Sequence, residues 1–205
     1  MGRLRFDVRR GQRSEAGNQL ENLRVNLMRN ADQFTVFASK VFDTLYESFP
    51  IPVPLARSQL IEDVTQSLQK IRELEWKKDA IESATYVFEK VGQITEEEKE
   101  NAKKNISTLE SKVRDEHDRR RNMERVLEGT IAFLVFEEFV REDDNGYYQL
   151  TLRGFTHLNK RFAQHEIQDN TTIIEKLRDA LRPEKFAGAV ATGVFTSLVS
   201  SAFAG

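Results

Sequence analysis

Pro50, Pro52, Pro54 and Pro183 are the only prolines in this 205-residue chain. Residues 55–182 therefore run without the residue that removes a helical hydrogen bond and clashes with the preceding turn. Apolar residues in that interval recur at steps of three and four, so the expected fold is mainly α. Leu, Ile, Val and Phe supply 57 of the 205 residues, above the roughly one-fifth below which chains usually stay disordered. The helices therefore have a core to bury. Charges nearly cancel, with 31 Lys and Arg against 33 Asp and Glu, so any charged recognition surface must be local. The chain has no cysteine. That removes disulfides, thiolate nucleophiles and Cys-ligated metals, and it fits a reducing cytoplasm.

Residues 1–30 read as a basic arm followed by a short helix. Arg9 and Arg10 stand in the arm, and Leu20, Leu23 and Leu27 fall at helical spacing. The start of the sequence lacks the apolar run of a secretory signal. From Asp32, the residues Phe34, Phe37, Ala38, Val41 and Leu45 mark a helix with one buried face, ending at Phe49. Pro50 to Pro54 must be extended, since each proline disfavours helix in the residue before it. Ser58 is placed to cap the next helix. Ile61, Val64, Leu68 and Ile71 form a coiled-coil-like seam that slips and resumes at Leu74, Ile81, Ala84, Phe88 and Val91. After Gly92, Thr95 and Glu98 have the spacing of a capping box. A second seam follows at Ala102, Ile106, Leu109 and Val113, weakening at Glu116 and Arg120 before Met123 and Leu127. Residues 58–122 are thus expected to form an antiparallel helical hairpin inserted into a body made of 31–57 and 123–165. The same seams would serve pairing between two chains.

Beyond the hairpin, Ile131, Phe133, Leu134, Phe136, Phe139 and Val140 close a helix, and Asn145-Gly146 fits a type I′ turn. Tyr147, Tyr148 and Leu150 give the returning strand. Thr151 can cap a last amphipathic helix along Leu152, Phe155, Leu158 and Phe162. Helix, β-hairpin and the corner Leu150-Thr151-Leu152-Arg153-Gly154 together resemble the second half of a bacterial winged helix-turn-helix domain. In that superfamily a recognition helix leads into a wing that closes on a Leu-Thr-x-x-Gly corner. The resemblance covers about 31–68 and 123–165 and implies a winged-helix-like body with a small β-hairpin wing, of which the helical hairpin is a departure. Its members include DNA-binding regulators and modules that bind only protein, so the fold leaves the function open.

Local charge separates these outcomes. Between Asn122 and Asp144, Arg125 and Arg141 stand against seven carboxylates, whereas a helix entering the major groove needs Lys and Arg against the phosphates. A protein-docking role is therefore preferred, with Glu128, Glu137, Glu138 and Trp76 as candidate contacts. The DNA-binding alternative would rest on Arg119, Arg120 and Arg121 together with Arg9 and Arg10.

No Gly-rich phosphate loop, nucleophile elbow or His-Glu-x-x-His motif is present. His157 and His165 are too far apart along a helix to share a metal without a bend. Neither catalysis nor a cofactor, metal or small-molecule substrate is predicted. The apolar segment from Phe186 to Gly205, in the C-terminal part 166–205, is as long as a membrane span but rich in Ser and Thr. Read as one helix, it sets Val190, Val194 and Leu198 beside a row of small residues, Ala189, Gly193 and Ser197. Such a helix packs closely against another, in self-association or at a membrane. The resulting reading is a non-enzymatic cytoplasmic interaction protein, with membrane association through the tail as a further alternative.

Overall fold

The computed structural model describes residues 30–164 and 167–203. Arg9, Arg10 and the leucines at 20, 23 and 27 lie outside the described residues, as do His165 and Glu166. The fold is mainly helical. Among the described residues, α1 (Asn30–Ser48), α2 (Arg57–Thr65), α3 (Ser67–Lys90) and α4 (Glu96–Phe136) precede a hairpin of β1 (Val140–Glu142) and β2 (Tyr148–Leu150). Then come α5 (Leu152–Leu158), the antiparallel pair β3 (Arg161–Gln164) and β4 (Ile167–Thr172), and α6 (Ile173–Leu181), α7 (Pro183–Ala191) and α8 (Val194–Phe203). These residues divide into two compact units. Arg57–Arg125 is one, and the stretches on either side of it form the other.

In the second of these, α1 is central. Val36, Phe37, Ala38, Val41, Phe42 and Leu45 are all buried, and so are Gln33, Thr35 and Ser39. This set covers the whole helix circumference instead of the single face that the spacing predicts, so α1 needs neighbours all round. It packs against β2, α6 and α8. Phe203 of α8 packs edge-on against Phe139 (4.7 Å between ring centres) and Phe133 (5.5 Å), and Phe34 packs edge-on against Phe133. Phe155 stacks on Phe49 and Tyr46. Arg178 of α6 lies over the Tyr46 ring and pairs with Asp43 and Glu47 of α1.

Three sequence expectations change here. The apolar tail is two helices, because Gly193 takes φ +68° between them. Val190, Val194 and Leu198 are therefore not one helical row, nor are Ala189, Gly193 and Ser197. Ala189 and Leu198 are buried, Val190 and Gly193 half-buried, and Val194 and Ser197 exposed. The last helix of the body stops at Leu158, and β3 and β4 intervene before α6, whose start is set by a Thr172/Glu175 capping box. Finally, the turn between β1 and β2 is not type I′, since Gly146 has positive φ but Asn145 does not. Five residues separate the strands, and the Asp143 carboxylate orders them by accepting from the amides of Asn145 and Tyr147, both at 2.9 Å.

In the unit Arg57–Arg125, Lys70 pairs with Glu116 and Glu89 with Lys99, so α3 and this part of α4 run antiparallel. Gln66, at φ 51°, separates α2 from α3. The Thr95/Glu98 capping box is present: Glu98 N–H donates to Thr95 Oγ1 at 3.2 Å, and Thr95 N–H to the Glu98 carboxylate at 2.8 Å. That backbone bond, above all, holds the Glu98 carboxyl below its ordinary value. Its contribution is present at neutral pH and is lost as pH falls through the folded value. Ser58 does not cap α2, which begins at Arg57. Its hydroxyl instead accepts from Arg120 at 2.8 Å.

The corner after the β1–β2 hairpin accounts for Gly154. Thr151 Oγ1 accepts from Gly154 N–H at 3.0 Å, and a Cβ at position 154 would stand 2.3 Å from the carbonyl oxygen of Phe139. Backbone has to move to admit any side chain. Gly154→Ala is expected to cost about 3 kcal/mol, as overpacking against a fixed wall does, measured by urea unfolding.

Candidate interaction face

The end of α4 buries Leu127, Thr130, Ile131 and Leu134. These residues occupy one side of the helix, so Glu128, Gly129, Ala132, Phe133 and Phe136 fall on the other and are exposed. Phe136 is 81% exposed, the most open of the large apolar side chains described, and Leu152 at the start of α5 is 74% exposed. The two belong to adjoining segments. Arg153 donates to the Glu137 carbonyl at 2.9 Å, and Thr151 Oγ1 donates to the Glu138 carbonyl at 2.6 Å. Phe136 and Leu152 are each one residue from a bonded position of this corner.

How α4 ends determines where the carboxylates go. Glu138 N–H bonds to the Val135 carbonyl and Phe139 N–H to the Leu134 carbonyl, both at 3.0 Å, with Glu138 at φ +59°. This is a Schellman ending, in which the left-handed position usually belongs to glycine. Here a glutamate holds it, with its carboxylate 3.9 Å from Arg153, whose guanidinium lies over the Phe139 ring at 4.9 Å. The helix therefore hands over to β1 through a strained, exposed, acidic residue.

Of the candidate protein contacts, Glu128 and Glu138 are exposed on this face and Glu137 is half-buried beside them. Trp76, 70% exposed, belongs to the other unit. Phe136 and Leu152 are additions, since the apolar pattern assigns both to the core. The signal for Phe136 lies in its spacing: it follows Ala132 by four residues and Gly129 by seven, out of phase with Leu127, Ile131 and Leu134.

The arginines at 119–121 are engaged with carboxylates. Arg119 pairs with Glu116 at 2.7 Å and Arg121 with Asp118. Arg120, with a side chain only 12% exposed, reaches Ser58, Glu62, Ser67 and Glu124. Glu62 itself accepts from the first amides of α3, Leu68 N–H at 2.9 Å and Gln69 N–H at 3.2 Å. Arg120 thus neutralises the carboxylate that caps α3.

A further open groove of about 600 Å³ lies among α6, α7 and α8, with Ala180, Ala189 and Leu198 among its lining residues. On its rim Lys185 Nζ donates to both Asp179 oxygens at 2.7 Å, which holds the Asp179 carboxyl below its ordinary value. Among the described residues, no group of His, Cys, Asp or Glu is arranged to hold a metal ion, and no helix is long and apolar enough to cross a membrane. No protein-family model, curated protein or solved structure matches this chain.

Because Arg120 is partly buried and Arg121 is open, their removal has unequal costs. Arg120→Ala is expected to lower stability by about 2 kcal/mol, since it strands Glu62. Arg121→Ala is expected to change it by less than about 0.5 kcal/mol. Equilibrium urea unfolding of the two variants measures the difference.

Proposed function

We propose that this chain is a non-enzymatic interaction protein of winged-helix type that docks a protein partner on the face formed by Glu128, Ala132, Phe136, Glu138 and Leu152. The winged-helix assignment is supported by the passage from α4 into the β1–β2 hairpin and by an antiparallel bridge of Val53 to Tyr148, which adds the chain after α1 to the edge of β2. The Thr151–Gly154 corner supports it as well. The observation that carries the docking role is the composition of the exposed helix face. From Val126 to Phe136 it holds no Lys or Arg and presents Phe136 at 81% exposure. Phosphate binding needs cations there, whereas a protein interface needs an aromatic anchor within a polar rim.

Two measurements test this reading. The protein is expected to leave mixed-sequence duplex DNA unbound at low salt in fluorescence anisotropy. A salt-sensitive Kd of about 10⁻⁴ to 10⁻⁶ M would favour the DNA-binding alternative instead. Partners captured by cross-linking in the wild type are expected to be lost with Phe136→Glu at unchanged helical content by circular dichroism. Their retention would remove this face from the interface.

Glu138 permits a separation of function from stability. A glycine at its φ relieves about 1 kcal/mol of backbone strain. Glu138→Gly is therefore expected to raise the unfolding free energy by that amount while weakening capture of the same partner.

A further inference from the structure

Helix α3 has two usable faces. On one, Ile71 is buried, and Leu74, Lys78, Ile81 and Thr85 are half-buried. On the opposite side, Glu73, Trp76, Ala80, Ser83, Val87 and Lys90 follow one another at alternate steps of three and four, and all six are exposed. Trp76 is 70% exposed and Val87 55%. That spacing is a heptad seam of two core positions per seven residues. Its four middle positions carry no charge, and its ends carry opposite charges.

We propose that this face is the site where two copies of the chain associate, α3 against α3, antiparallel about a two-fold axis between Ala80 and Ser83. In this register Ala80 meets the partner's Ser83, Trp76 meets the partner's Val87, and Glu73 meets the partner's Lys90. Small residues at the centre let the helices approach, and each tryptophan covers the valine across from it. Charge decides the orientation. A parallel pair in register would set Glu73 against Glu73 and Lys90 against Lys90, whereas the antiparallel pair forms two opposite-charge contacts. An isologous interface has this self-complementarity. Lys90, which lies 5.5 Å from the centre of the Tyr86 ring, is already held near the helix end where the partner's Glu73 would arrive. The seam is about 26 Å long at 1.5 Å per residue, so the contact is small and the affinity falls in the weak, transient class.

The test uses the full chain. Sedimentation equilibrium between about 1 and 200 µM is expected to show a reversible monomer–dimer equilibrium. Trp76 is the only tryptophan, so its emission maximum is expected to move to shorter wavelength as the dimer forms. Glu73→Lys and Lys90→Glu each place like charges in register and are expected to weaken self-association about tenfold. An equimolar mixture of the two variants restores opposite pairs and is expected to regain it. Phe136→Glu is expected to dimerise as the wild type does, which keeps this inference separate from the docking role proposed for the other unit. A chain monomeric throughout the range would overturn the proposal and leave the face for a helix of another protein. So would a dimer whose formation leaves Trp76 emission unchanged, or a mixture of the variants that fails to recover.

Discussion

Burial of α1 on every side is the constraint on which its unit depends. A helix with one apolar stripe needs one neighbour. With Val36, Phe37, Ala38, Ser39, Val41 and Phe42 all inaccessible, α1 requires a closed ring of them. Strand β2, helix α6 and helix α8 all pack on it. The uncharged tail is consumed in this way: Phe195, Leu198 and Val199 are buried, and Phe203 sits among Phe42, Phe133 and Phe139. Part of a segment with the length of a membrane span is thereby built into the core, and Gly193 divides it into two helices.

Much of this was legible from local chemistry. The Thr95/Glu98 box and the Thr151 cap depend on residues within three positions of one another, and such signals survive whatever the rest of the chain does. The all-round burial of α1 was not legible, because Thr35, Ser39 and Gln33 are polar and only their neighbours in space put them inside. The strands β3 and β4 were hidden for a related reason. Phe162 continues the helical spacing of Leu152, Phe155 and Leu158, but α5 ends at Leu158 with Asn159 as its C-cap. Phe136 reads as core from composition alone, while the phase of the helix turns it out.

In the other unit, the weak point of the seam at Glu116 and Arg120 is a built polar layer. Glu116, 5% exposed, is met by Lys70 and Arg119, and Arg120 ties Glu62, Ser58 and Ser67 to α4. Ion pairs of this kind contribute little net stability over apolar packing, because desolvation offsets the attraction. They do discriminate among registers: sliding α3 by one turn past α4 would part Glu116 from Lys70 and leave the Glu62 carboxylate without its arginine. A seam of small and half-buried residues such as Ala102, Ile106 and Leu109 tolerates such a slip, and the polar layer does not. Of the three arginines at 119–121, Arg120 is thus the one that helps to set the register of the hairpin.

The ending of α4 is where local stability and exposure conflict. Glycine at position 138 would satisfy the same Schellman bonds without strain, and a polar residue at 136 would avoid exposing a phenyl ring to water. Neither substitution would disturb the core, since Leu134 and Phe139 on either side supply the buried contacts. Two unfavourable choices therefore stand two residues after Leu134 and one before Phe139, on one surface, where folding does not require them. Side chains held against the local preference of their backbone and solvent are accounted for when something outside the chain contacts them. In the proposed docking role, the acidic carboxylate and the open phenyl ring, presented by a helix end braced through Arg153 and Thr151, are the pair of groups that a partner with an apolar pocket and a basic rim would engage.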